Sequence, residues 1–564
     1  MATFEEDTKP TDATIRAIMD HVGLTDDYRL HIGIDFGTKF SSVCYDYSRP
    51  SIPLINCHAA SETVKDYNTS DRFASIAAFT QADDVATKTL WQLEFGARAL
   101  RSTRSTTIGQ NRVVKVEMMK LHLISEQYAE TLKPRMWHVL NDLNQHHADV
   151  MHAICNGGRE VSCRVHDPLS QQYRVCSIRS VDCIIREFLL YLLQSTKARI
   201  AKRHKLTPAV VTTIFRKKAD VAISVPTNEM WTDSIMFDFR YLLQKAGFPE
   251  ATILVSEARS SALYHAFELI KAAGFDVAEK TAGKITEQIT IIADLQVDTT
   301  NITCLGSYHA TEGSCTISFG EISSGVGSLD GSEMLSTLFK QYLRHELFQL
   351  PGGVSGLVPH FQGSQDQILD ACAAGFELVK QDFDNTRASY EVAPRFDADR
   401  QPRLLHIDQR GIIVDGNQLI LDASIIQAIF DEWLTGIASM LRAVILDVTK
   451  DWKETTPVVI GLTGWDWYRL PPYVLQFLTA HFSSQRGPVQ VIEIKTRLAQ
   501  GNYLQLVHHD LAGTQSAYHR HLARIGGDEA KIMADLRYSK HGPPRDVRVP
   551  PRGPELDPAV RRVV

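Results

Sequence analysis

The stretch HIGIDFGTKFSSVCYDYS, His31–Ser48, decides the fold. Apolar positions alternate around glycines up to Asp35, the chain turns on Gly37-Thr38-Lys39, and a second strand-like run begins at Phe40. Two apolar runs of this length around a glycine-containing tip predict a β-hairpin from Arg29 to about Tyr47. A second stretch, QITIIADLQVDTTNITCLGSY at Gln288–Tyr308, predicts another hairpin. Its first apolar run also ends in an acid, Asp294. Two hairpins with an acid in the same place suggest a duplicated unit, with two α/β lobes facing a cleft.

The regions between the hairpins support this. Val181–Lys205 has apolar residues at helical spacing and ends in basic residues, which complement the helix dipole. DVAISVP, Asp220–Pro226, reads as a strand stopped by proline. A helix over 231–247, a strand at Ala251–Glu257 and the helix SALYHAFELIKAAG follow, a strand–helix alternation typical of α/β units. In the second half the pattern predicts helices over 332–348, 364–385 and 419–446, then the strand Pro457–Leu462 and a helix in RLAQGNYLQLVHHDL. Residues 60–175 show no clear period. The boundaries read as a lead-in at 1–28, lobe I at 29–286 closed by 495–520, lobe II at 287–494, and a disordered tail at 525–564. That tail, with PPRDVRVPPRGPELDP at its centre, is too rich in proline and charge to build a core.

Composition narrows the function. The chain has 564 residues, too many for one compact core, with 44% hydrophobic and 22% charged residues as in soluble globular proteins. A net charge of −6 carries no polyelectrolyte signal for nucleic acid or an anionic membrane. The nine cysteines include no C-x-x-C pair, which argues against zinc and dithiol sites and suits a reducing compartment. The acidic N-terminus does not resemble a secretory signal, and no apolar run reaches the ~18 residues of a membrane span. The expectation is a cytoplasmic or nucleocytoplasmic protein without nucleic-acid or membrane partners.

Six blocks in order carry a family resemblance. GIDFGTKFSSV (Gly33–Val43) resembles the first phosphate-binding hairpin of the heat shock protein 70 family, within the actin-like ATPase superfamily. Val221–Ser234, Ile253–Ala266, Ile292–Thr303, Phe376–Asp384 and Val458–Val474 resemble later blocks of that family. GVGSLDGSEML, Gly325–Leu335, resembles the divergent branch that has only the nucleotide-binding domain. The resemblance implies a two-lobed actin-like fold, a duplicated ribonuclease-H-like α/β architecture with no peptide-binding β-domain. It also implies ATP or ADP with Mg²⁺ in the cleft. Asp35, Glu257, Asp294 and Thr299 would be the catalytic set; Gly37, Thr38, Lys39, Gly327, Glu377, Lys380 and Gly464 would bind nucleotide. Asp35 and Asp294 would hold the metal, through water. The physical reasons are plain. Glycine lets backbone N–H groups approach phosphate oxygens, hard cations prefer carboxylates, and phosphoryl transfer needs mostly positioning and charge neutralisation.

The departures point toward weak or lost hydrolysis. The second tip normally reads Asp-Leu-Gly-Gly-Gly-Thr; here Gln296, Val297 and Asp298 replace the glycines. A non-glycine residue in a left-handed conformation costs roughly 1–2 kcal/mol. A carboxylate ~5 Å from a phosphate costs about 3 kcal/mol at an effective dielectric near 20. Micromolar affinity is worth about 8 kcal/mol in all. Gln381 replaces the family's adenine-stacking arginine, and Thr463 a glycine of the adenosine loop. Two hypotheses follow. Either Lys39 supplies charge to phosphate and a conformational switch survives, or Lys39 pairs with Asp298 or Asp294 and locks a pseudo-ATPase scaffold that protein partners read. Lys120 reads as a solvated surface lysine, Glu377 and Lys380 as a surface ion pair or an adenosine site. The pairs His146-His147 and His508-His509 read as surface histidines, Trp465 and Trp467 as packing residues.

Overall fold

The computed structural model describes residues 29–48, 62–64, 72–81, 91–104, 113–124, 134–155, 160–226, 231–257, 260–261, 264, 288–296, 299–309, 317–328, 331–349, 365–392, 406–409, 411–415, 418–450, 457–464, 470–483 and 489–494. The lead-in, the closing segment 495–520, the tail, and the helices expected after Glu257 and in RLAQGNYLQLVHHDL lie outside them, apart from isolated residues such as Ser260, Ser261 and Tyr264. Among the described residues no helix is long and apolar enough to cross a membrane.

The first half opens with β1 (Arg29–Asp35) and β2 (Phe40–Ser48), the expected hairpin, with Asp35 opposite Ser42. There follow β3 (Glu62–Thr63), β4 (Phe73–Ala74), β5 (Ala77–Gln81), β6 (Trp91–Phe95), α1 (Gly96–Arg104) and β7 (Val113–Val116). Next come α2 (Met119–His122), α3 (Pro134–Cys155), β8 (Val161–His166), β9 (Tyr173–Ile178), α4 (Val181–His204) and α5 (Pro208–Lys218). β10 (Ala219–Val225), α6 (Asp233–Lys245) and β11 (Ile253–Ser256) complete this half. β10 lies parallel to β1 and β11 parallel to β10, so the principal sheet runs β11-β10-β1-β2-β3. Five successive residues of β1 are buried, as expected for a strand covered on both faces. Phe36, just past Asp35, stacks on Phe239 of α6 at 5.7 Å and meets Phe188 of α4 at 6.1 Å. This anchor fixes the root of the tip. α5 and α6 begin at threonine caps, Thr207 and Thr232, whose side chains accept from Val210 and Ile235 N–H.

The segment without a clear period contains a separate sheet, β7-β5-β6-β8-β9. Its strands are short, four to six residues, too short for a periodic pattern to stand out. His147 of α3 is buried, contrary to the surface reading, while His146 is exposed. His147 faces the carbonyl of Glu117 at 3.0 Å and the His122 ring at 3.3 Å. Burial pushes its pKa down to about 4.

The second half comprises β12 (Gln288–Leu295), β13 (Thr300–His309), β14 (Ile317–Ser328), α7 (Glu333–Gln349), α8 (Gln365–Asp382), β15 (Ser389–Glu391), β16 (His406–Gln409), β17 (Ile412–Asp415) and β18 (Gln418–Asp422). It ends with α9 (Ala423–Val448), β19 (Val458–Gly464), α10 (Pro472–Ser483) and β20 (Val489–Glu493). The helix expected over 419–446 is corrected: Leu419–Asp422 belong to β18, where pairing with β17 claims an apolar run continuous with that of the helix. The principal sheet runs β14-β13-β12-β19-β20, with β12 antiparallel to β13 and parallel to β19. Strand order and directions match those of the first sheet: a hairpin, then two strands added parallel to its first strand. Asp35 and Asp294 occupy corresponding places at the ends of β1 and β12.

Each half has its own core, and α2 touches both. Met119 packs in the first core and Leu121 in the second. The helix starts from Met118, held in the left-handed region at φ 54. Lys120, between the two apolar residues, points to neither core.

Candidate functional site

The two hairpin tips are built differently. At Gly37 an added Cβ would lie 2.0 Å from the carbonyl oxygen of Phe40, so the turn tolerates no side chain. Thr38 is buried, and its Oγ1 has no hydrogen-bond partner among the described residues. Asp35 accepts from Ser224 Oγ at 3.2 Å, its parallel neighbour on β10. At the second tip the Gln296 N–H donates to the Thr299 carbonyl at 2.8 Å, and the Gln296 side chain donates to Asp294 Oδ2 at 2.9 Å. Gln296 thus supplies a direct donor to Asp294. Val297 and Asp298 lie outside the described residues.

Asp294 is fully buried. Ser261, from the first half, donates to its Oδ2 at 3.3 Å, while Oδ1 has no partner among the described residues. Burial, reinforced by the charge of Asp35, pushes the carboxyl up to about 6, against the hydrogen bonds from Gln296 and Ser261 and the charge of Lys120. The charge of Asp35 is thus felt at Asp294. Gly464 makes room for them: its φ is +92, and a Cβ there would lie 2.5 Å from the Leu295 carbonyl and 2.7 Å from Asp294 Oδ1.

Glu257 follows β11 and is fully buried. Lys120 forms an ion pair with its Oε1, and both side chains are excluded from solvent. Lys120 is therefore not a solvated surface lysine; a carboxylate 137 positions away draws it inward. Asn301 of β13 donates to Glu257 Oε2 at 3.2 Å and to Thr299 Oγ1 at 3.1 Å, tying the two halves together. Thr299 is fully buried. Gly327 sits beside Asn301 across the β13–β14 pair and is half-buried.

A third cluster lies where α7 meets α8. Lys39 reaches across to Glu333 Oε2 at 3.1 Å and Glu377 Oε2 at 3.5 Å. These two acids are not the partners, Asp298 or Asp294, that the sequence reading named; Asp298 lies outside the described residues. Lys380 is buried, correcting the surface ion pair; it contacts Glu377 at 2.7 Å and donates to Ser336 Oγ at 2.8 Å and the Ser332 carbonyl at 3.3 Å. Ser336 Oγ donates in turn to Glu377 at 2.6 Å. Burial would raise the Glu377 pKa, but the charges of Lys380 and Lys39 outweigh it and hold it at about 2. Burial lowers the Lys380 pKa, with Glu377 opposing. Gln381 donates to the Glu377 carbonyl at 3.2 Å.

All eleven predicted site residues are described, and three clusters hold ten of them, with Gly327 beside Asn301. Sequence reasoning missed Asn301, Ser261, Ser336 and Glu333. Asn301 was within reach of it, since Leu295 pairs with Thr300 and so puts Asn301 directly opposite Asp294. Chemically, the site offers carboxylates at Asp35 and Asp294, oxygens at Thr38 and Asp294 without a partner among the described residues, and three lysines. The donor set fits a divalent cation beside phosphate, held by Asp35 and Asp294 through water. Among the described residues no cluster of three His, Cys, Asp or Glu forms a protein-only cage.

Residues 15–266 match the family model described as Domain of unknown function (DUF8340) N-terminal domain, and residues 286–494 match Domain of unknown function (DUF8340). The gap between the matches falls between β11 and β12. No curated protein matches the chain.

Proposed function

We propose that the chain is a two-lobed nucleotide-binding protein of actin-like architecture, related to the heat shock protein 70 family, in which ATP or ADP with Mg²⁺ changes lobe closure and hydrolysis is weak or absent. The observation that carries this reading is the pairing of Asp35 with Asp294. Two sheets of one strand order carry these acids at corresponding strand ends, and the charge of Asp35 adds to burial in raising the pKa of Asp294. Asp35 and Asp294 would hold a divalent cation there, and its charge would offset their repulsion and that of phosphate. Thr38 Oγ1 and the backbone at Gly37 would donate to the phosphates. Hydrolysis is weak because Glu257 is engaged by Lys120 and Asn301, which leaves it poorly placed to orient water. Lobe closure is the signal that protein partners read.

Isothermal titration with ATP and ADP, with and without Mg²⁺, tests the reading. Saturable Mg²⁺-dependent binding is expected, weakened at least tenfold by Asp35→Asn; the absence of binding with either nucleotide refutes it. A second reading, a non-catalytic scaffold with a closed cleft, draws on the Lys39 ion pairs to Glu333 and Glu377 and gains from that negative result.

A further inference from the structure

We infer that Lys39 is an exchangeable latch: Glu333 and Glu377 hold it across the cleft, and the terminal phosphates of a nucleoside triphosphate take it from them. This rests on the nucleotide reading above. Lys39 sits at the tip of the first hairpin, between Thr38, whose buried hydroxyl has no partner among the described residues, and Phe40, whose carbonyl excludes a side chain at Gly37. The polar groups of this tip are therefore arranged for an acceptor beyond those the described residues supply. The lysine meanwhile contacts two carboxylates of the second half, at 3.1 and 3.5 Å.

Both carboxylates can release it without being stranded. Glu377 keeps Lys380 at 2.7 Å and Ser336 at 2.6 Å. Glu333 is the first residue of α7, where the helix dipole favours a negative charge. The three side chains are 23 to 28% exposed, wet enough for partners to exchange. A triphosphate carries more charge than either carboxylate and reaches the tip; a monophosphate lacks the terminal groups that would. Exchange removes the two ion pairs that join the first hairpin to α7 and α8, so the latch couples phosphate number to the contact between the halves. It also gives Lys39 opposite effects in the two states, joining the halves when nucleotide is absent and holding phosphate when it is present.

The experiment compares the full chain with Glu333→Gln and Lys39→Met. Glu377 is left intact because its loss would strand the buried Lys380. Two readouts are used: titration with Mg-ATP and with AMP, and acetylation of Lys39 in nucleotide-free protein, followed by mass spectrometry. Glu333→Gln is expected to bind Mg-ATP about threefold tighter, the change expected of losing one partly exposed ion pair, and to acetylate faster. Lys39→Met is expected to bind Mg-ATP more than tenfold weaker and AMP unchanged. If the wild type binds Mg-ATP while Glu333→Gln matches it in both readouts, the latch is refuted and the nucleotide reading stands. If neither wild type nor Glu333→Gln binds any nucleotide, the nucleotide reading fails and the exchange with it, whatever the acetylation shows.

Discussion

Replacing Lys120 with methionine removes the ammonium opposite Glu257 while keeping most of the side-chain volume. Wild-type Lys120 and Glu257 are 1% and 0% exposed, so no water can take the place of the lost partner. The Asn301 amide at 3.2 Å still donates to Glu257 but brings no countercharge. Breaking a buried ion pair from one side costs about 3–5 kcal/mol, because the remaining charge is desolvated and uncompensated. Removing both charges costs far less, since a neutral pair of similar size neither repels nor needs solvent. Urea unfolding of the wild type, Lys120→Met, Glu257→Gln and the double variant at pH 7 forms a complete cycle. The expected coupling is at least about 2 kcal/mol, with the double variant more stable than Lys120→Met. A single-variant loss under about 1 kcal/mol, with coupling near zero, would show that the pair behaves as a surface bridge and would undo its place at the centre of the site.

Two further outcomes follow from the same geometry. The carboxyl of Asp294 is raised from 3.8 to about 6, so the folded state binds a proton more tightly than the unfolded chain, and wild-type stability falls as pH rises between these values. Asp294→Asn escapes this penalty while still accepting from Gln296 and Ser261. Its stability relative to wild type should climb by about 2 kcal/mol between pH 4 and 7, and parallel pH profiles in urea unfolding would refute the shift. Gly464→Ala places a Cβ against the Leu295 carbonyl and Asp294 Oδ1 at a positive φ and should cost about 2–4 kcal/mol. Gly436→Ala, in α9 where nothing lies within 4 Å, should instead stabilise by about 0.5–1 kcal/mol. Similar thermal shifts in these two variants would contradict the packing at Gly464.

The frame of the molecule was legible where the sequence had to commit to one backbone geometry. Asp35 and Asp294 stood out because each ends a strand that must be apolar on both faces. DVAISVP and PVVIGL were readable for the same reason, as central parallel strands leave little room for polar residues. The β7-β5-β6-β8-β9 sheet was hidden by short strands, although Trp91–Phe95 does alternate buried and half-buried positions. Lysine is rarely buried, so Lys120 looked exposed; the distant Glu257 makes its burial tolerable. The partners of Lys39 were beyond reach, because Glu333 and Glu377 lie about 300 positions away along the chain and carry no local signature. Asn301 needed only the turn length, and counting residues across the hairpin would have found it.

The short helix α2 gives this site a mechanical property. Three consecutive residues commit to three different places: Met119 to one core, Lys120 to Glu257, Leu121 to the other core. Any sliding of one half past the other must therefore drag the ammonium, like a rivet through two plates. Repacking at Met119 or Leu121 would then detune Glu257 from a position that touches no ligand at all.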